Sequence, residues 1–124
     1  MATISKIWGS ETTIMNAVAV TTGSYSNTVD LETGGYEGAH VIVDADFPSS
    51  PTDNLEVYVQ ASLDGTNWDD TALFGFVVDK GTDPNQVSFI VKDIAQFRLY
   101  CKRSGSTDTI TVTAKVQSWR WQSA

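Results

Sequence analysis

AHVIVDADF at residues 39–47 and LEVYVQAS at residues 55–62 decide the fold. Both alternate apolar and polar side chains at period two, the pattern of a strand that covers a core on one side only. In the first, Ala39, Val41, Val43, Ala45 and Phe47 share one face, and His40, Ile42, Asp44 and Asp46 the other. In the second, Leu55, Val57, Val59 and Ala61 are expected inward, with Glu56, Tyr58, Gln60 and Ser62 outward. PSSPTDN (48–54) separates the two strands and LDGTNWDD (63–70) follows, both rich in residues that favour turns.

Further turn signals recur outward from this pair: TTGS at 21–24, ETGGYEG at 32–38, DKGTDPN at 79–85 and RSGSTD at 103–108. They leave eight strand-length runs, at 13–20, 26–31, 39–47, 55–62, 72–78, 86–92, 96–103 and 109–119. No window shows a helical stripe, and Thr and Val dominate the runs. The expectation is an all-β domain of about eight antiparallel strands in a two-sheet sandwich of jelly-roll or Greek-key type. Immunoglobulin-like wiring is the alternative, although its Cys…Trp…Cys spacing is missing.

The sandwich is assigned to residues 11–124, preceded by an arm at 1–10. Ile4, Ile7 and Trp8 in that arm lack an evident strand alternation and would leave large apolar groups in water. The arm therefore docks, either on its own sheet or on the edge of a neighbouring subunit. At the other end, the inward series Ile110, Val112, Ala114 and Val116 changes phase at Trp119 and Trp121, predicting a bulge or an outward aromatic pair. Trp119, Arg120 and Trp121 combine the residue types enriched among interface anchors and form a second candidate contact region.

The chain has 124 residues and a net charge of −7, which argues against nucleic acid as a partner because phosphate binding needs surplus Lys and Arg. The charge is uneven: residues 1–90 carry 2 basic and 13 acidic side chains, residues 91–124 carry 6 basic and 2 acidic. Arg98, Lys102, Arg103, Lys115 and Arg120 are read first as partners of carboxylates in the same molecule. The second reading is a bipolar surface that docks on a neighbour. Cys101 is the single cysteine and alternates with Phe97 and Leu99, which places it inside as a small apolar group. No apolar run suits a signal peptide or membrane span, so a soluble protein without membrane contact is expected.

LDGTNWDD offers three readings. In the structural one, Asp64 and Gly65 make a tight turn and Trp68 folds back to cap the core. In the second, Asp64, Asn67, Asp69 and Asp70 are oxygen ligands for calcium, although the spacing matches no EF-hand. In the third, Trp68, Tyr58 and Tyr36 stack on a sugar while Asn67 and Asp69 bind its hydroxyls. Enzymatic readings are weaker. His40, the only histidine, is expected on the solvent side and Cys101 inside, and no catalytic triad, zinc set, P-loop or dinucleotide fingerprint is recognisable. No catalytic residue, metal or cofactor is assigned.

Across residues 10–121, with SLDGTNWDD, GGYEGAHV and FRLYCKRSGSTDTITV as its most suggestive pieces, the chain resembles small β-sandwich structural proteins of tailed bacteriophages. Similar DGTNW turns occur in discoidin-like and other jelly-roll binding domains. The phage resemblance implies a non-enzymatic virion component made in the host cytoplasm. A capsid decoration (cement) protein binding the major capsid protein or another virion protein is the first expectation, a small tail or baseplate subunit the second. A decoration role at threefold positions implies a homotrimer. The rival expectation is a carbohydrate- or host-binding module.

Overall fold

The computed structural model describes residues 4–81 and 85–123. Ten strands follow one another: β1 (Ile4–Trp8), β2 (Thr12–Val20), β3 (Ser24–Tyr25), β4 (Val29–Asp30), β5 (Gly38–Asp46), β6 (Leu55–Ser62), β7 (Phe74–Val78), β8 (Asn85–Lys92), β9 (Gln96–Arg103) and β10 (Ile110–Ser123). Every pairing is antiparallel. Among the described residues no helix is long and apolar enough to cross a membrane.

β1 and β2 lie end to end along one side of β10, and β3 and β4 along one side of β9. Each sheet thus has four rows: β1/β2, β10, β5, β8 in the first, and β3/β4, β9, β6, β7 in the second. Apart from the β6–β7 hairpin and the breaks within the two composite rows, every connection crosses from one sheet to the other. This is the strand order of a jelly roll, and it excludes the immunoglobulin-like alternative.

The inner faces meet in one core. Ala39, Val41, Val43 and Ala45 of β5 pack with Leu55, Val57 and Val59 of β6, Phe97, Leu99 and Cys101 of β9, and Ile110, Val112 and Ala114 of β10. The alternation in the sequence therefore reports the true inward faces. At the end of β6 it fails: Ser62 is buried and Ala61 half-buried, because the Ser62 hydroxyl is drawn into the following turn.

The run at 26–31 is not one strand. Leu99 N–H donates to Ser26 Oγ at 2.8 Å, and this side-chain acceptor interrupts the ladder between β3 and β4. Residues 4–8, which showed no evident alternation, are a strand paired on the chain's own β10, with Ile4, Lys6 and Trp8 on one side. That pairing also carries β10 on to Ser123, past the expected end at 119. The β10–β5 register runs unbroken from Thr111↔Asp46 to Trp119↔Gly38, so the phase change at Trp119 and Trp121 is the outward aromatic pair. The bulge lies on the other side, against β2, where Ala17 has a φ of 48° and its N–H donates to Thr113 Oγ1.

Candidate functional site

Beyond Trp119, β10 has left β5 and pairs with β1, so the two ends of the chain form a two-stranded ribbon that extends past the sheet. Antiparallel pairing places Trp8 opposite Trp119 and Lys6 opposite Trp121, all four on the outer face. The Trp8 and Trp119 rings are 5.6 Å apart and tilted by 54°. Lys6 Nζ sits 4.5 Å from the Trp119 ring centre, 4.9 Å from Trp8 and 5.8 Å from Trp121. A cation over indole faces stabilises by about 0.5–1 kcal/mol at exposed sites, which fastens the ribbon to itself.

The three indoles differ in exposure. Trp119 is only 6% exposed because it lies across Gly38; a Cβ there would come 2.5 Å from Trp119 Cη2 and 2.7 Å from Lys92 Cβ. Trp8 and Trp121 remain 45% and 56% exposed, and Ile4 beside them 68%. An open groove of about 800 Å³ runs from these rings towards His40 of β5 and Ile90 of β8. Ile7 and Arg120 are register partners on the opposite side of the ribbon, Ile7 half-buried and Arg120 exposed. The structure thus gathers all six terminal contact candidates into one ribbon, with Trp119 as its floor. Sequence reading missed Lys6, although it stands two residues before Trp8, and missed Gly38, the glycine on which the indole rests.

The 62–70 turn is knit together by its own side chains. Asp64 Oδ1 accepts the N–H groups of Thr66 and Asn67, each at 2.8 Å, and Asp64 Oδ2 accepts Asn67 Nδ2 at 2.8 Å. Gly65 takes a φ of +78°, as a reversal here requires. These donors, led by the Asn67 N–H, hold the Asp64 carboxyl well below the usual carboxylate range. The calcium reading needs those same oxygens, which the turn already uses. Among the described residues no three His, Cys, Asp or Glu side chains converge as a metal site.

Trp68 does not cap the core. It bridges to Ser62 and lies on the second sheet, its ring 4.3 Å from the Arg98 guanidinium carbon. β9 turns Phe97 and Leu99 inward and hence Arg98 outward, so the indole follows the cation to the outer face. The proposed sugar-binding set is divided accordingly: Tyr36 and Asp69 line a hollow beside Leu63 and Ile94, whereas Tyr58 and Trp68 lie on the second sheet. Asp70 borders a further hollow beside Tyr58 and Tyr100.

The basic residues are answered differently from the first reading. Among the described residues one ion pair forms, Lys115 with Glu11 at 3.4 Å, both exposed. Arg98 and Lys102 sit over aromatic rings, and Arg103 Nη1 donates to the Asp108 carbonyl at 2.7 Å. The Asp108 carboxyl is held below its ordinary range first by the Asp53 N–H, with the Arg103 charge adding to it. Two buried carboxylates escaped notice in the sequence. Asp108 accepts the N–H groups of Thr52 and Asp53, and Asp53 accepts those of Thr107 and Asp108, which ties the loops at 48–54 and 103–108 together. The repeated Thr-Asp dipeptide was their signal.

His40 is on the outer face of the first sheet and Cys101 in the core, where burial pushes its thiol up to about 12. Compared with known proteins, the chain matches no family model and no curated sequence.

Proposed function

We propose that the chain is a non-enzymatic structural subunit of a tailed-phage virion, a capsid decoration protein that grips its neighbours through the terminal ribbon. The observation that carries this reading is the ribbon itself: Ile4, Trp8 and Trp121 stay exposed on a strand pair braced by the Lys6–Trp119 and Trp8–Trp119 contacts. Large exposed apolar groups grouped in one place mark association surfaces. Tryptophan anchors with a neighbouring arginine supply much of the binding energy where they are found at interfaces. The jelly-roll order and the sequence resemblance to phage structural proteins support the same reading. In a shell, repetition amplifies weak contacts, so a small ribbon suffices. The preferred assembly is a homotrimer seated on the major capsid protein.

Light scattering over a dilution series, with wild type and the Trp121→Ala variant, tests the assembly. A trimer that resists dilution in the wild type and dissociates at least tenfold more readily in the variant is expected. A strict monomer overturns the trimer. Co-sedimentation with phage shells that lack the protein tests the role. Binding to tails but not to shells replaces decoration by the tail or baseplate reading.

A further inference from the structure

We propose that the outer face of the second sheet is a saccharide-binding platform, with Tyr25, Tyr58 and Tyr100 as its floor and Gln60, Arg98, Glu56 and Lys102 as its polar border. The register sets Tyr25, Tyr100, Tyr58 and Gly75 in one line across four strands. Tyr25 and Tyr100 have ring centres 4.8 Å apart and planes 35° apart; Tyr100 and Tyr58 follow at 6.4 Å and 30°. At 4.8 Å Tyr25 is stacked, offset, on Tyr100, and Tyr58 continues the row beside Tyr100, so the rings pave the sheet as an overlapping row. Glycine makes the paving feasible: a Cβ on Gly75 would come 2.7 Å from Tyr58 Cδ1, and Tyr100 lies over Gly23.

The next line across the sheet pairs Gln60 with Arg98, and the one on the other side pairs Glu56 with Lys102. Arg98 is clamped, its guanidinium carbon 3.9 Å from the Tyr25 ring centre and 4.3 Å from Trp68, while its Nε donates to Gln60 Oε1 at 2.8 Å. Among the described residues no carboxylate pairs with it. Tyr58 O–H donates to Glu56, which orients the hydroxyl and raises the phenol's pKa. Beside the tyrosines a hollow of about 530 Å³ is bordered by Asp70, Thr71 and Lys102.

A pyranose ring has one face of weakly positive C–H groups and a rim of hydroxyls. The C–H face suits the negative face of a tyrosine, and the hydroxyls need donors and acceptors at the edge of the stack. This surface supplies both, with the polar groups already held in place. Single-stranded nucleic acid also stacks on aromatic platforms, but it needs an electropositive track. Here Arg98 and Lys102 are matched by Glu56 and Asp70 in a chain of net charge −7, which favours a sugar. The platform is on the sheet opposite the terminal ribbon, so the proposal does not depend on the decoration role.

The test is NMR titration of the full chain with cellohexaose, tetragalacturonate and a ten-nucleotide oligo(dT). Saturable shifts at Tyr25, Tyr58 and Tyr100 with either saccharide are expected. Tyr100→Ala and the more exposed Tyr25→Ala should each weaken binding at least tenfold, and Trp121→Ala should leave it unchanged. Selective loss of tetragalacturonate in Arg98→Gln would assign an acidic sugar, and equal retention of both a neutral one. No shift with either saccharide at millimolar concentration overturns the proposal, as does binding that survives both tyrosine variants. Tighter binding of oligo(dT) replaces it with nucleic-acid recognition.

Discussion

The two outer faces of the sandwich use the same chemistry in different shapes. On the first sheet Lys6 lies over three indoles, and on the second Arg98 lies between Tyr25 and Trp68. In both, a cation meets aromatic faces instead of a carboxylate, which retains its charge while covering apolar area. The shapes diverge because β10 outruns β5, so the first face ends in a projecting ribbon, whereas β6 and β9 are of equal length and pair from end to end, leaving no such projection. A projecting ribbon suits the proposed contact with a neighbouring subunit. A row of rings along the sheet suits the proposed saccharide site instead.

The largest expected effect removes what the faces share. Phe97 is fully buried beneath both sheets, and Phe97→Ala should lower stability by about 3–5 kcal/mol. Three of the four tryptophans report the ribbon and three of the four tyrosines the second face, so urea unfolding can be followed separately by indole emission and by tyrosine near-ultraviolet circular dichroism. Coincident midpoints are expected, since one core underlies both faces. Separate midpoints would show that the ribbon opens on its own and would break the comparison.

A second test compares glycines. Gly38→Val pushes directly on the buried Trp119 ring, with Lys92 Cβ closing the other side, and should cost about 1–3 kcal/mol with a red shift of indole emission. Gly75→Ala on the second face presses on Tyr58, which is only half-buried and is free to tilt outward, so its stability cost should be below about 1 kcal/mol. Equal losses would mean that the tyrosine row is as tightly packed as the tryptophan floor.

The sequence made the sandwich legible because β5, β6, β9 and β10 each cover the core on one side, and period two follows from that geometry. It made the ribbon only half legible. Ile4, Trp8, Trp119 and Trp121 stood out as apolar groups without a home, but the partnership of β1 with β10 joins residues more than a hundred positions apart, which no local pattern encodes. The second face was less legible still. Tyr25, Tyr58, Tyr100 and Gly75 come from four strands, and their alignment depends on registers that the sequence does not display. Trp68 was misplaced because the turn was read as closing over the core, whereas Ser62 turns inward and the indole follows Arg98.

The smallest effect concerns the turn that delivers Trp68 to the second face. Asp64 is held below its ordinary value of 3.8 by N–H donors that favour the carboxylate. A carboxyl depressed in the folded state contributes stability above its unfolded pKa, and that contribution disappears as pH falls through the folded value. Asp64→Asn should therefore be less stable than wild type at pH 7, with the gap narrowing steadily from pH 5 towards pH 2 in thermal melts. Parallel curves across that range would show that the turn does not depend on the ionised carboxylate. Because Trp68 is bound to this turn and Trp8, Trp119 and Trp121 are not, the variant should alter quenching of one indole in four and leave the mass in solution unchanged. A change in mass would mean that the second face, and not the ribbon alone, contributes to assembly.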